Sequence, residues 1–255
     1  MSDCSTKKCN KLKCAGYMAM STAITLTTYG LIVNFAPVAI TNLFLSPQKV
    51  IEGVQYVQKS EFEKQTKKQK KQVEKFIKET PGAVYADKDD GFYGAENAEI
   101  TIAEFVDYRC GYCKKSNDVL HSVISKEKYM GKVKVVVKSL PILGPVSEYA
   151  ASNAWAVYKK HPEKFAEIHL KLFATDLKDT AAVDAVFKSA GLTASKDAMS
   201  AADSIAYFGK VRELAVKFQL TGTPAFTIGD KFFGGFIDAT ELETTLDAQL
   251  AKSKK

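Results

Sequence analysis

Cysteine is scarce in this chain beyond its first few residues, histidine is scarce throughout, and one long stretch carries no charge. Of the five cysteines, three stand at Cys4, Cys9 and Cys14, and only Cys110 and Cys113 lie further on. A structural zinc ion wants four ligands, and no second C-x-x-C or neighbouring C-x-x-H completes a set with Cys110 and Cys113. His121, His161 and His169 show no metal-like clustering, so surface or packing roles are expected for them and no metal site is expected. A basic folded surface is missing as well. The net charge of +7 comes from the front of the chain, with four Lys against Asp3 in residues 1–14 and nine Lys against four Glu between Lys49 and Lys78. Residues 79–255 hold 23 basic and 24 acidic side chains, which leaves no electrostatic footprint for nucleic acid.

The charge-free stretch runs from Ala15 to Gln48. It exceeds the roughly 20 residues needed to cross a bilayer, although its many Thr make it only moderately apolar. Lys7, Lys8, Lys11 and Lys13 precede it, which predicts a cytoplasmic N-terminus and export of the remainder. An uncleaved anchor is favoured over a cleavable signal peptide. The apolar region of a signal is shorter than this, and no clear A-x-A site is present, the nearest candidates lying around Ala36 and Ala39. On the anchor reading Cys4, Cys9 and Cys14 remain in the reducing cytosol as ordinary thiols. Their five-residue spacing turns each about 140° from the last on a helix, so they share no face. Residues 1–47 thus form a tail and a targeting segment.

Residues 48–80 follow as a charged helical linker. Pro47 suits a first helical position, and one Gly and no Pro interrupt the run from Gln48 to Lys78. Val50, Ile51, Val54 and Val57 form an apolar stripe that must be covered, by a membrane surface or by other copies of the chain, most simply in a trimer. Beyond Phe62 the stripe gives way to K-Q-T-K-K-Q-K-K-Q, read as a solvated spacer. Thr80-Pro81-Gly82 then marks the start of the next domain, residues 81–255.

That domain is organised around Glu104 to Lys115, E-F-V-D-Y-R-C-G-Y-C-K-K. Ile100 to Asp107 reads as a strand, and Lys114 to Ser125 as a helix with Val119, Val123 and Ile124 on its apolar side. A C-x-x-C at such a junction sits at a helix N-terminus, whose free N–H groups favour the thiolate, the nucleophilic form in disulfide exchange. Cys110 is the expected nucleophile, and Cys113, one turn along, is placed to resolve the mixed disulfide. Alternation along the strand puts Glu104 on a face with Ile100, Ile102 and Val106, an expensive position for a carboxylate without a partner or a proton. Asp107, on the other face, reads as a loop-start residue.

Further on, Val133 to Val137 reads as a central strand, broken by Pro141-Ile142-Leu143-Gly144-Pro145. Helices are expected from Ser147 to Lys160, Glu163 to Phe173, Asp179 to Ala190 and Ser204 to Phe218. Pro224 to Ile228 and Lys231 to Phe236 form a hairpin about Gly229-Asp230, and Ala239 to Ala251 closes the chain as an amphipathic helix. The fold class is α/β, a β-α-β half and a β-β-α half with a helical block, about residues 146–218, between them.

This order, with C-G-Y-C, P-I-L-G-P ahead of the inserted block and T-G-T-P ahead of the hairpin, resembles the DsbA-like branch of the thioredoxin superfamily over about residues 83–255. The charged helix ahead of the domain resembles ScsC-type members, some of which trimerise through that region. The resemblance implies a thioredoxin fold with an inserted helical domain. It also implies an exported protein thiol–disulfide oxidoreductase, in the periplasm of a Gram-negative bacterium, either tethered by the N-terminal segment or released after cleavage. Its implied partners are protein substrates with thiols or disulfides and a membrane redox protein that recycles the cysteine pair, and it implies no cofactor. Two alternatives stay open: an oligomeric isomerase or reductase of the ScsC type, and a chaperone-like or copper-binding module. Gly111 and Tyr112 stand where strongly oxidising relatives have Pro and His, which removes one charge contact to the thiolate. Thr223 and Pro224 match the family's substrate-binding cis-proline loop, and Glu104 matches its buried acid, which assists proton transfer at the resolving thiol.

Overall fold

The computed structural model describes the backbone of residues 47–253 and the side chains of residues 58–253. The targeting segment, Cys4, Cys9 and Cys14 therefore lie outside the described residues, as do the side chains of the Val50–Val57 stripe. The chain divides after residue 56, and the architecture below belongs to the unit Val57–Lys255.

Five strands form one sheet in the order β1-β3-β2-β4-β5. They are β1 Gly91–Gly94, β2 Ile100–Val106, β3 Val133–Ser139, β4 Ala225–Ile228 and β5 Lys231–Gly234. The β2–β3 pair is parallel, as a helical crossover requires, and β4 runs antiparallel to β2 with Glu104 opposite Phe226. Every residue of β2 except Thr101 is buried, because the sheet is covered on both faces and β2 lies at its centre. The expected Val133–Val137 strand is interior, one place from the middle. Gly229, with φ of 56°, turns the β4–β5 hairpin in a conformation that few residues other than glycine adopt readily.

Strand β1 has no counterpart in the sequence reading. Its four residues, G-F-Y-G, are too short to show alternation. It forms because β3 offers an open edge and because Gly91 admits α5. A Cβ at that position would lie 2.3 Å from the ring of Phe165.

The helices are α1 Pro47–Glu79, α2 Pro81–Tyr85, α3 Gly111–Ile124, α4 Pro145–Lys160, α5 Pro162–Ala174, α6 Thr180–Ser189, α7 Asp197–Ser200, α8 Ala202–Lys217 and α9 Ala239–Ser253. Helices α4 to α8 make the inserted block, and α3 packs against α9. The block is fastened to the sheet through the loop before β1. Lys138 of β3 forms a buried ion pair with Asp90, and Tyr207 of α8 donates to Asp90 at 3.2 Å and to the Val137 carbonyl at 3.1 Å. Burial pushes the Asp90 carboxyl up to about 6 against the opposing pull of Lys138.

One expectation needs correction. The lysine-rich half of α1 is not a solvated spacer along its whole length. Val73 and Ile77 are 2% exposed, and Phe76 packs edge-on against Phe218 with ring centroids 5.8 Å apart. Gln69 donates to the carbonyls of Phe218 and Gln219 at 2.8 and 2.9 Å, supplying partners to the frayed C-terminus of α8. The apolar positions 73, 76 and 77 were hidden among lysines and glutamines. Burying two aliphatic side chains is worth about 1.5–3 kcal/mol each. That outweighs the small gain of leaving a charged helix fully hydrated.

Candidate active site

Helix α3 begins directly after Cys110, earlier than the expected Lys114, and this places the cysteine at the cap. Its backbone is extended (φ −76°, ψ 117°), and its sulfur accepts from the Cys113 N–H at 3.4 Å. The Cys110 thiol also donates to the Thr223 carbonyl at 3.3 Å, which brings the two motifs together across 113 residues of sequence. The Thr223–Pro224 peptide is cis. Both cysteines are free thiols, Cys110 half-buried and Cys113 fully buried. Burial pushes the Cys113 thiol far above its ordinary range, so it stays protonated at neutral pH. One sulfur is open to solvent, and the other is not.

Asp107, read from sequence as a loop-start residue, shapes this rim. It is buried, and its carboxylate accepts from the N–H groups of Arg109, Ile142 and Leu143 and from the Ser147 hydroxyl, all at 2.7–2.9 Å. Its own carbonyl accepts from Cys110 N–H at 3.0 Å. The C-x-x-C turn and the Pro141–Pro145 loop are therefore held by one side chain. Arg109 completes the brace by donating to the carbonyls of Leu177 and Leu143 at 3.0 Å. Gly111 lies in the first turn of α3. Tyr112 projects outward, 63% exposed, with the Lys115 ammonium 5.3 Å from its ring centre. No local pattern marked Asp107, because all its side-chain partners except Arg109 come from positions 35 to 40 residues away.

Glu104 is fully buried, and its partners are His169 and Tyr93. His169 Nε2 lies 3.2 Å from Oε1 without the alignment of a hydrogen bond, Tyr93 donates to Oε1 at 3.3 Å, and Oε2 has no partner. His169, on α5, shares a 3.1 Å hydrogen bond through Nδ1 with the Tyr108 hydroxyl and sits among the rings of Tyr93, Tyr108, Phe165 and Phe173. Burial raises both tyrosines, Tyr93 and Tyr108, and keeps them neutral. No hydrogen bond or ion pair joins Glu104 to either sulfur. The sequence reading placed His169 in a surface or packing role. Its link to Glu104 spans 65 positions and left no trace in spacing. His121 and His161 lie elsewhere, and among the described residues no group of three His, Cys, Asp or Glu could hold a metal ion. No helix among them is long and apolar enough to cross a membrane.

A family model described as Thioredoxin matches residues 86–248, and the chain belongs to the thioredoxin family. Within it, fold, cysteine pair and relatives together define a DsbA-like thiol–disulfide oxidoreductase. Disulfide bond formation protein D of Bacillus subtilis (strain 168) is 28% identical over 170 residues, which are 62% of this chain and 75% of that protein. Among solved structures, the catalytic domain of Proteus mirabilis ScsC is 29% identical with a TM-score of 0.60, covering 70% of this chain and 99% of that one. A periplasmic thioredoxin-like protein from Salmonella enterica serovar Typhimurium is 27% identical with a TM-score of 0.59, covering 67% of this chain and 95% of that one.

Proposed function

We propose that this oxidoreductase acts outside the cytoplasm on protein thiols, forming disulfides with Cys110 as the attacked and attacking sulfur and Cys113 as the resolving one. The observation that carries the reading is the contrast between the two sulfurs. Cys110 is accessible at a helix N-terminus beside the Thr223 carbonyl, and Cys113 is buried and held as a thiol. In the oxidising direction a substrate thiolate attacks Cys110 of the 110–113 disulfide. The S–S bond breaks, Cys113 leaves with the electron pair and takes up a proton, and a mixed disulfide forms. A second substrate thiolate then attacks the substrate sulfur of that bond and Cys110 departs, so the substrate loses two electrons and two protons and the enzyme gains them. A membrane redox partner would restore the disulfide.

Thr223 presents backbone to an extended substrate, and Glu104 accepts or returns the Cys113 proton. The full burial of Glu104 on the strand that leads into Cys110 supports that last role. Lysines ahead of the charge-free segment support export, tethered or released. The name of the Bacillus subtilis relative supports the oxidising direction. Gly111-Tyr112 lacks the charged contact of the most oxidising relatives, which supports a moderate potential.

Cys113→Ser in the full chain, mixed with a disulfide-bonded protein substrate so that Cys110 attacks and no second thiol can displace it, is expected to accumulate substrate disulfide-bonded to Cys110, seen on non-reducing gels as adducts lost on reduction. Adducts on Cys110→Ser instead would reverse the roles. The reduction potential of the pair separates oxidant from reductant. An oligomeric isomerase is the second reading, favoured by the unbroken 33-residue α1 and the likeness to Proteus mirabilis ScsC. Val73 and Ile77 belong to the core, so removing α1 is not a clean test. Val50→Asp with Val54→Asp in the full chain is, and light scattering showing no change of mass would end the trimer reading.

A further inference from the structure

The family match begins at residue 86, yet the Thr223–Pro224 loop opens onto a groove whose other wall is α1. The groove measures about 860 Å³, and α1 contributes Phe62, Gln65 and Lys68 to it. Loop residues 219–225 and the segment Phe232–Phe236 line the remainder. Its size is at the upper end of the roughly 300–1,000 Å³ typical of small-ligand pockets, room for a few residues of extended chain. Phe62 is 69% exposed and Phe236 44%, two large apolar side chains left in water on the lining of one trough. The charges on the lining are Lys68, Lys70 and Glu241, and Lys70 also lies 5.0 Å from the Phe233 ring centre.

We propose that α1 is a specificity wall. The groove takes an extended segment of the reduced protein substrate adjoining its reactive cysteine, with a large apolar residue against Phe62 and Phe236 and carboxylates toward Lys68 and Lys70. Three observations select this occupant. The trough is continuous with the carbonyl that contacts Cys110, so a chain disulfide-bonded there enters it directly. The apolar anchors are exposed and separate from the core, so burying them on binding is favourable by the area removed from water. The α1 wall is basic, which suits an acidic segment and penalises a basic one. Its position is fixed by the burial of Val73 and Ile77 and by the Gln69 hydrogen bonds, so the wall is preformed before substrate arrives.

The inference rests on the exchange chemistry proposed for Cys110, and the test separates the two. Oxidised full-length protein is reacted with dithiothreitol and with two dithiol peptides, in which an apolar residue and then three aspartates, or three lysines, flank a cysteine. The wild type should favour the aspartate peptide about tenfold in kcat/KM, through KM, because the two peptides differ only in the charge they bring to Lys68 and Lys70. Phe62→Ala should raise KM for both peptides, and Lys68→Glu with Lys70→Glu should reverse the preference. Dithiothreitol, too small to reach the wall, should react within about twofold of wild type in all variants. Unchanged peptide KM in these variants overturns the wall. Loss of mass in light scattering for Phe62→Glu, with peptide KM unchanged, would assign the groove to a second copy and overturn it too. Failure of the wild type to exchange with dithiothreitol overturns the chemistry beneath it.

Discussion

The rim at Cys110 and the buried cluster at Glu104 begin on the same strand-to-helix junction, six residues apart, and are built in opposite ways. The rim is made largely of backbone: the Cys113 N–H, the Thr223 carbonyl and three N–H groups gathered by Asp107. The cluster is made of side chains, Glu104, His169, Tyr93 and Tyr108, all excluded from water. Backbone can recognise any extended chain, which suits the exchange role proposed for Cys110. A closed cluster suits a group that handles a proton and ties an inserted block to the sheet. Asp90 and Lys138 serve as the purely structural counterpart, a buried pair with no contact to the sulfurs.

The largest effect should come from the rim. Cys110→Ser is expected to lower exchange with protein thiols on the order of a thousandfold or more, since the proposed nucleophile is gone. Stopped-flow fluorescence or Ellman titration would read it, and retention of more than a tenth of the activity would place the chemistry elsewhere.

Breaking the structural pair should leave chemistry alone and strike stability. Asp90→Leu leaves Lys138 buried without its carboxylate and the Tyr207 hydroxyl without that acceptor, at a cost of about 3–5 kcal/mol, while the double change to Asp90→Leu and Lys138→Met should recover most of it. Urea denaturation measures both. The pH dependence carries the same signature. The folded Asp90 carboxyl lies near 6, above its usual 3.8, so its contribution is complete below about pH 4 and is lost as pH rises through about 6. Asp90→Asn should abolish that part of the profile.

Between these extremes stands Glu104. Glu104→Gln keeps an acceptor for Tyr93 and removes the proton site, so release of the mixed disulfide by Cys113 should slow at least about tenfold, with a flatter pH profile. Stability should change less, because the amide keeps the size of the carboxyl and its acceptor oxygen for Tyr93. Equal release rates across pH 5 to 8 would reduce Glu104 to an anchor for α5. The smallest effect is expected at the groove wall's mooring. Gln69→Ala should cost about 1 kcal/mol, the net worth of such hydrogen bonds, with dithiothreitol exchange unaffected.

Local sequence carried much of this site. A C-x-x-C between a β-branched strand and an amphipathic helix specifies its own geometry, because the cap, the first turn and the two sulfurs are set by residues 106–114. Alternation likewise put Glu104 on a buried face, and the Gly229-Asp230 turn announced the hairpin. What spacing could not show was which distant groups would answer. Asp107 gathers a loop, His169 reaches Glu104 from an inserted helix, β1 exists because β3 has a free edge, and α1 docks through three apolar residues scattered among lysines. Periodicity reports one element at a time. A buried polar atom takes whatever partner packing brings within reach, and that choice belongs to the tertiary structure alone.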